Sequence, residues 1–319
     1  MRSRRAGAGA GHGYCFAFKA RYAPLSGDPR RPNGGNNLMD ESPLYTVRGP
    51  KSWVMMTSRE LAALLAETDV ALVPVGAIEQ HAGHLPLGQD NFQIEEIVRR
   101  AVVKLDAAGR RAIFGPTIPF APISNLQFPG SIDLKPSTLI ILVKEVCLNL
   151  HRDGVKRIVL VMGHDMSLGA LMVAARELAA ETADRLEVIV LNWLPFIVKA
   201  LPQAFADLPP GMRDGHGGAG ETARMLAQHP KLVNQAAERD YRVEAVVSPV
   251  PFAGPVVSGG GVYIPRKTSN HDPEFRGILG FPSIATAEIG ETLYDALAQW
   301  VADVTSEYCY GENSKAYNY

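Results

Sequence analysis

A chain of 319 residues with 46% hydrophobic and 20% charged side chains can build a large core and has an ordinary globular balance. Its formal net charge of -1 supplies no field for nucleic acid or an anionic membrane surface, and apolar runs such as Arg157–Met162 are too short to span a bilayer. The three cysteines, Cys15, Cys147 and Cys309, form no CxxC, no zinc ribbon and no disulfide framework, and they fit a reducing cytoplasm.

In chain order, residues 1–48 come first. Arg2, Arg4, Arg5, Lys19, Arg21, Arg30 and Arg31 sit there among Gly, Ala, Pro and Asn, with no apolar segment of the secretory type. The expectation is a disordered tail or a start placed too far upstream, with Met39 as a natural alternative start. Thr57-Ser-Arg-Glu60 is a capping box, and Leu61, Leu64 and Leu65 follow at helical spacing. Val70–Gly76 reads as a buried strand, Phe92–Leu105 as an amphipathic helix and Arg111–Thr117 as a second strand.

Ser137 is expected to cap a helix that ends at Asp153, with Gly154 as its stop. Arg157–Met162 is a third strand, Leu168–Ala183 an Ala-rich helix and Glu187–Trp193 a fourth strand. A helix over Thr222–Gln228 precedes a Gly- and Pro-rich stretch at 245–285, read as loops with short strands, and a long helix over Ala287–Ser306 closes the chain. Strands alternating with helices predict an α/β fold: a mainly parallel sheet flanked by helices on both faces. The expected organisation is one domain over 49–308 with a C-terminal tail at 309–319.

In such sheets ligands bind beyond the carboxyl ends of the strands, so the segments after the strands carry the chemistry. After the first strand comes Glu79-Gln-His81-Ala-Gly-His84-Leu-Pro-Leu-Gly-Gln-Asp90, and after the third comes Gly163-His164-Asp165-Met-Ser167. Glu79 and His81, two apart on an extended segment, point to the same side. Gly83, Pro86 and Gly88 shape a loop that can return Asp90 to the same place, and neighbouring strands lie about 5 Å apart, so His164 can complete the cluster. Two carboxylates and two imidazoles suit Zn²⁺, Mn²⁺ or Fe²⁺, and a carboxylate such as Asp90 can bridge two ions. In Asp214-Gly-His216-Gly-Gly-Ala-Gly-Glu221-Thr222, the glycines permit close approach to a ligand, His216 is suited to shuttle a proton, and Glu221 opens a helix.

The stretch from Pro74 to Asp90 closely resembles the signature of the creatininase (creatinine amidohydrolase) family. Phe128-Pro-Gly130-Ser-Ile, Gly163-His164, His216–Thr222 and Gly280–Glu288 agree with it in order and spacing. The resemblance runs from about residue 50 to 305 and implies a creatininase-like three-layer sandwich, a homohexamer and a small-molecule substrate. It implies that Glu79, Asp90 and His164 hold one divalent ion, and that His81 and the bridging Asp90 hold a second. It makes His216 the acid/base histidine, Glu221 a catalytic neighbour of that histidine, and Trp193 an aromatic residue near the substrate. Ser124 and Asp165 are further candidate substrate contacts. Met166 stands where creatininase has a second-metal glutamate, and Met212 and Arg213 stand where it has a tryptophan covering the substrate.

The implied function is divalent-metal hydrolysis of a small polar cyclic amide or lactone other than creatinine, in a catabolic pathway, with His216 protonating the leaving atom. A lactonase or cyclic-ketone hydrolase on the same residues is the alternative, and a non-catalytic scaffold of the same fold stands outside the enzyme class.

Overall fold

The computed structural model describes residues 45–46, 49–123, 126, 128–200, 202–237, 239–245, 249–250, 253–263, 265 and 272–311. Nearly all of the expected N-terminal tail lies outside them. Residues 45–46 are described, and they form β1 (Tyr45–Thr46), which pairs antiparallel with β2 (Gly49–Pro50), so ordered pairing starts before residue 49.

The central sheet has four parallel strands: β3 (Val70–Val75), β4 (Ile113–Phe114), β5 (Arg157–Met162) and β6 (Glu187–Leu191), in the order β4-β3-β5-β6. Helices occupy both faces. Val70, Leu72, Val159 and Val161 pack against α2 (Gln89–Ala107) and α7 (Ala287–Tyr310). The alternate residues Ala71, Val73, Ile158 and Leu160 pack against α3 (Pro136–Asp153), α4 (Leu168–Thr182) and Leu64 of α1 (Ser58–Leu65). The period-two division of buried side chains between two faces makes the three-layer sandwich. Short α5 (Leu194–Ala200), which the sequence pattern did not predict, follows β6, and α6 (Ala219–Gln228) packs on α7.

Several boundaries differ from expectation. The second strand shrinks to Ile113–Phe114, and the chain returns to β3 through a single bridge from Ile118 to Val75. Pro74 explains how this costs no ladder bond. Its carbonyl accepts from Ile118 N on the β4 side, so its missing N–H falls on that side too, where β4 has already ended. Helix α3 begins at Pro136 with Lys135 as its cap, not Ser137, because proline at the first helical position is already set in φ. Thr57 and Glu60 form the expected capping box, and Gly154, at φ 123°, ends α3. Helix α7 continues through residues 309 and 310 instead of giving way to a tail there. Cys309 is buried, and the Tyr310 hydroxyl donates to the carbonyl of Arg111.

The order of connections matters most. From β3 the chain crosses by α2 on one face to β4, then returns by α3 on the other face to β5, whose following helix α4 also lies on that second face. The chain therefore leaves the adjacent tips of β3 and β5 in opposite directions, and a crevice opens between them.

Candidate metal centre

Two glycines let this crevice fill with functional groups. A Cβ on Gly76, just past β3, would lie 2.1 Å from Asn91 Oδ1. One on Gly163, just past β5, would lie 2.9 Å from Ile94 Cβ. Their absence lets the first turns of α2 rest directly on both strand tips. Asp90 thus sits inside the first turn of α2, not ahead of the helix, where the positive end of the helix dipole favours a carboxylate. The loop between β3 and α2 is pinned by Glu79 N to Leu87 O and by Gln80 N to Ser131 Oγ, both at 3.0 Å.

The two strand ends meet as the sequence spacing predicts. His164 Nδ1 lies 3.3 Å from Glu79 Oε2 and 3.1 Å from Asp90 Oδ2. His81 Nε2 lies 3.5 Å from Asp90 Oδ1 and 3.4 Å from Glu221 Oε2. The two oxygens of Asp90 thus face different histidines. Glu79, Asp90 and His164 form one group able to hold a metal ion, and His81, Asp90 and Glu221 form a second. His216 joins Glu79 and His81 in a third, with its Nδ1 3.6 Å from Glu79 Oε2. Glu221, expected as a catalytic neighbour of His216, has its carboxylate in the second of these groups. That group needs nothing from position 166.

The donor set fits a divalent cation. Glu79 Oε2, His81 Nε2 and Asp90 Oδ2 are buried with no hydrogen-bond partner. His81 Nδ1 lies 3.0 Å from the Glu79 carbonyl, which can only accept, so Nδ1 carries a proton and Nε2 is the ring nitrogen that faces the carboxylates. Burial opposes charge on His81, yet Asp90, Glu221 and Glu79 outweigh it and raise its pKa to about 9. His164 is raised to about 10 against burial by Glu79, Asp90 and Asp165. Burial raises Glu79 to about 7, with His164 and His81 pulling the other way. A field that favours positive charge on two buried imidazoles is one that attracts a cation.

His216 is held well below the usual histidine range, by burial first and by His81 next. Its Nε2 is 2.7 Å from the Gln80 carbonyl and 3.2 Å from Gln80 Nε2. The shorter contact is to a group that only accepts, which places the proton on Nε2 and leaves Nδ1 facing the centre. His84 is also neutral by burial, lowered to about 4, and its Nε2 meets Thr222 Oγ1 at 3.1 Å, tying the loop to α6.

Behind these candidate ligands lies a support that the sequence reading missed. Gln93 Nε2 donates to Asp90 Oδ1 at 3.2 Å and to the Gly163 carbonyl at 3.1 Å, while Gln93 Oε1 accepts from Arg224 Nε and Nη2 at 2.9 and 2.6 Å. Its one sequence signal is Gln93 standing three residues after Asp90 on the same helix face. Trp193, expected near the substrate, is buried beneath Arg224, whose Cζ lies 5.4 Å from its ring, and its indole donates to the Met162 carbonyl. Asp165 belongs to none of the three groups but adds negative potential at His164. Ser124 lies outside the described residues.

A cavity of about 520 Å³ opens beside the centre, lined by residues that include Gln80, Leu87, Phe128, Arg239, Arg276 and Ile278. Gln80, between Glu79 and His81, is the shared wall.

A family model described as creatininase, creatinine amidohydrolase, matches residues 54–305. The chain is 28% identical to the creatinine amidohydrolase of Pseudomonas putida over 79% of its own length and 95% of that protein's. It is 29% identical to the mycofactocin precursor peptide peptidase of Mycolicibacterium smegmatis, covering 81% of this chain and 91% of that one. A manganese creatininase structure superposes with a TM-score of 0.61 at 27% identity, covering 81% of this chain and 98% of the other.

Proposed function

The chain belongs to the creatininase family, and from that premise we propose that it opens the C–N bond of a small cyclic amide with the help of divalent ions. Glu79, Asp90 and His164 would hold one ion, and His81, Asp90 and Glu221 a second. Bound there, such ions supply an acidified water and polarise the carbonyl under attack. The observation that carries the reading is Asp90, whose Oδ1 and Oδ2 face separate histidines at 3.5 and 3.1 Å.

His216 takes and returns the proton at Nδ1, since Nε2 is committed to the Gln80 carbonyl. The same bond fixes the ring plane, so Nδ1 cannot turn away from the reacting atoms. His81 lies 4.3 Å from His216, ring centre to ring centre; burial first, and positive charge on the His81 side second, keep His216 neutral and ready to accept. Met166, Met212 and Arg213, in place of the creatininase glutamate and tryptophan, support a substrate other than creatinine. We read the protein as a homo-oligomer acting on a small molecule in the cytoplasm. The buried thiols of Cys147 and Cys309 suit a reducing compartment.

The test is elemental analysis of the purified protein, followed by a screen of lactams with mass spectrometry of the products. Bound divalent metal and a ring-opened product one water heavier are expected. A protein that takes up no Zn²⁺, Mn²⁺ or Fe²⁺ would overturn the reading.

A further inference from the structure

Gln80, the wall shared by the cavity and the centre, is the only neutral hydrogen-bonding side chain among the described residues that line that cavity. It is buried, and its amide is held in one orientation. Gln80 Oε1 accepts from Ala82 N at 3.0 Å, and a reversed amide would set two donors against each other. Ala82 holds a left-handed φ of 57° there, a strained conformation for a residue with a Cβ. Gly277, at φ 83°, closes over the same oxygen: a Cβ there would lie 2.2 Å from it. The amide nitrogen has two hydrogens to place. Its one hydrogen-bond neighbour among the described residues is His216 Nε2 at 3.2 Å, which already donates to the Gln80 carbonyl at 2.7 Å and so has no lone pair to offer. Even if that contact took one hydrogen, the other N–H of this buried side chain would have no acceptor among the described residues.

We propose that this donor receives a second carbonyl oxygen of the substrate, one attached to the nitrogen that leaves. The donor stands beside His216, whose Nδ1 protonates that nitrogen, so the oxygen it meets belongs to the leaving-group side; this placement rests on the hydrolase reading above. The substrate class is then a cyclic imide or ureide and not a simple lactam. Ring opening breaks one C–N bond: the hydroxyl of water goes to the attacked carbon, and its proton goes to nitrogen through His216. Before that proton arrives, the electron pair left on nitrogen spreads onto the second carbonyl, where the Gln80 N–H meets the growing charge.

The probes are N-methylsuccinimide and N-methyl-2-pyrrolidone, rings of the same size that differ by the second carbonyl and lack an acidic N–H that could bind a metal as an anion. Their affinities for the full-length protein loaded with Zn²⁺ are read by ligand-observed NMR, and their opening by mass spectrometry. The imide should bind about ten-fold tighter than the lactam. Gln80→Glu keeps the acceptor for Ala82 N and removes the amide donor, and Gln80→Met removes both. Each should bring the imide to the level of the lactam at unchanged zinc content. Equal affinities in the unsubstituted protein, or no binding of either ring, overturn the proposal. So does a preference that persists in either folded variant, because the ions and not Gln80 would then be holding the second oxygen. A preference that follows Gln80, in a protein that opens neither ring, keeps the donor assignment and removes the hydrolase reading.

Discussion

Asp90 touches both ligand groups, so its loss should differ in kind from the loss of a ligand to one group. Asp90→Ala is expected to strip both ions and abolish turnover. Glu221→Gln should lower the metal count from two towards one while sparing the group built on Glu79 and His164, and elemental analysis of the dialysed variants separates the two results. Further back, Arg224→Gln loosens Gln93 and, through it, the bridging carboxylate. Supports of this kind usually contribute about 10–100-fold in metal affinity, to be read from competition with a chelator, with helix content unchanged. The sequence brought Glu79, His81, Asp90 and His164 together because strand-end spacing is a local property. It did not place Glu221 beside His81 and Asp90, nor Trp193 beneath Arg224, because both positions come from α6 packing against α2 and α7, a distant contact with no local signature.

At the level of elements, the close seating of α2 on the strand tips is the feature to perturb. Gly163→Ala would drive a methyl group to 2.9 Å from Ile94 Cβ and 3.0 Å from the Val75 carbonyl. Overpacking of this kind costs about 1–3 kcal/mol, so the melting temperature should fall by several degrees and metal affinity should fall with it. Along the same helix, Glu96 accepts from Arg99 and Arg100, and Arg100 reaches Glu291 and Asp295 on α7. Burial alone would raise the Glu96 carboxyl, but the two arginines outweigh it and hold it below its usual value. A depressed carboxylate stabilises the fold above its unfolded-state pKa of about 4.5, and that contribution is lost as pH falls through the lower folded value. Stability measured by denaturant titration should therefore drop on acidification below about pH 4.5, with a shallower drop in Glu96→Gln. Most of these elements were legible from periodicity. The exceptions were short α5 and the strand expected at Arg111–Thr117, whose apolar run has the right composition but whose pairing partner, β3, offers a proline on that side.

For the whole molecule, metal held as proposed by three carboxylates and three imidazoles packed together would couple folding to metal supply. A ligand that binds only the folded form adds about 2.7 kcal/mol when present at a hundred times its dissociation constant. Adding Mn²⁺ to the chelator-treated protein should raise its melting temperature in proportion to the logarithm of the metal concentration, and Asp90→Ala should show no such rise. The layered architecture was readable from the alternation of strands and helices, because burial on both faces of a parallel sheet imposes it. The crevice between β3 and β5 was readable only as a rule about strand ends, since strand order follows from which helix covers which face.

That reversal of direction beside β3 has a consequence for biosynthesis. Glu79, His81 and Asp90 leave the ribosome together, His164 follows after the rest of α2 and all of α3 have been made, and Glu221 emerges later still, at the start of α6. A nascent chain therefore displays an incomplete claw through much of its translation. The group of His81, Asp90 and Glu221 is therefore complete only once α6 has begun, after the three residues of the other group have all been made.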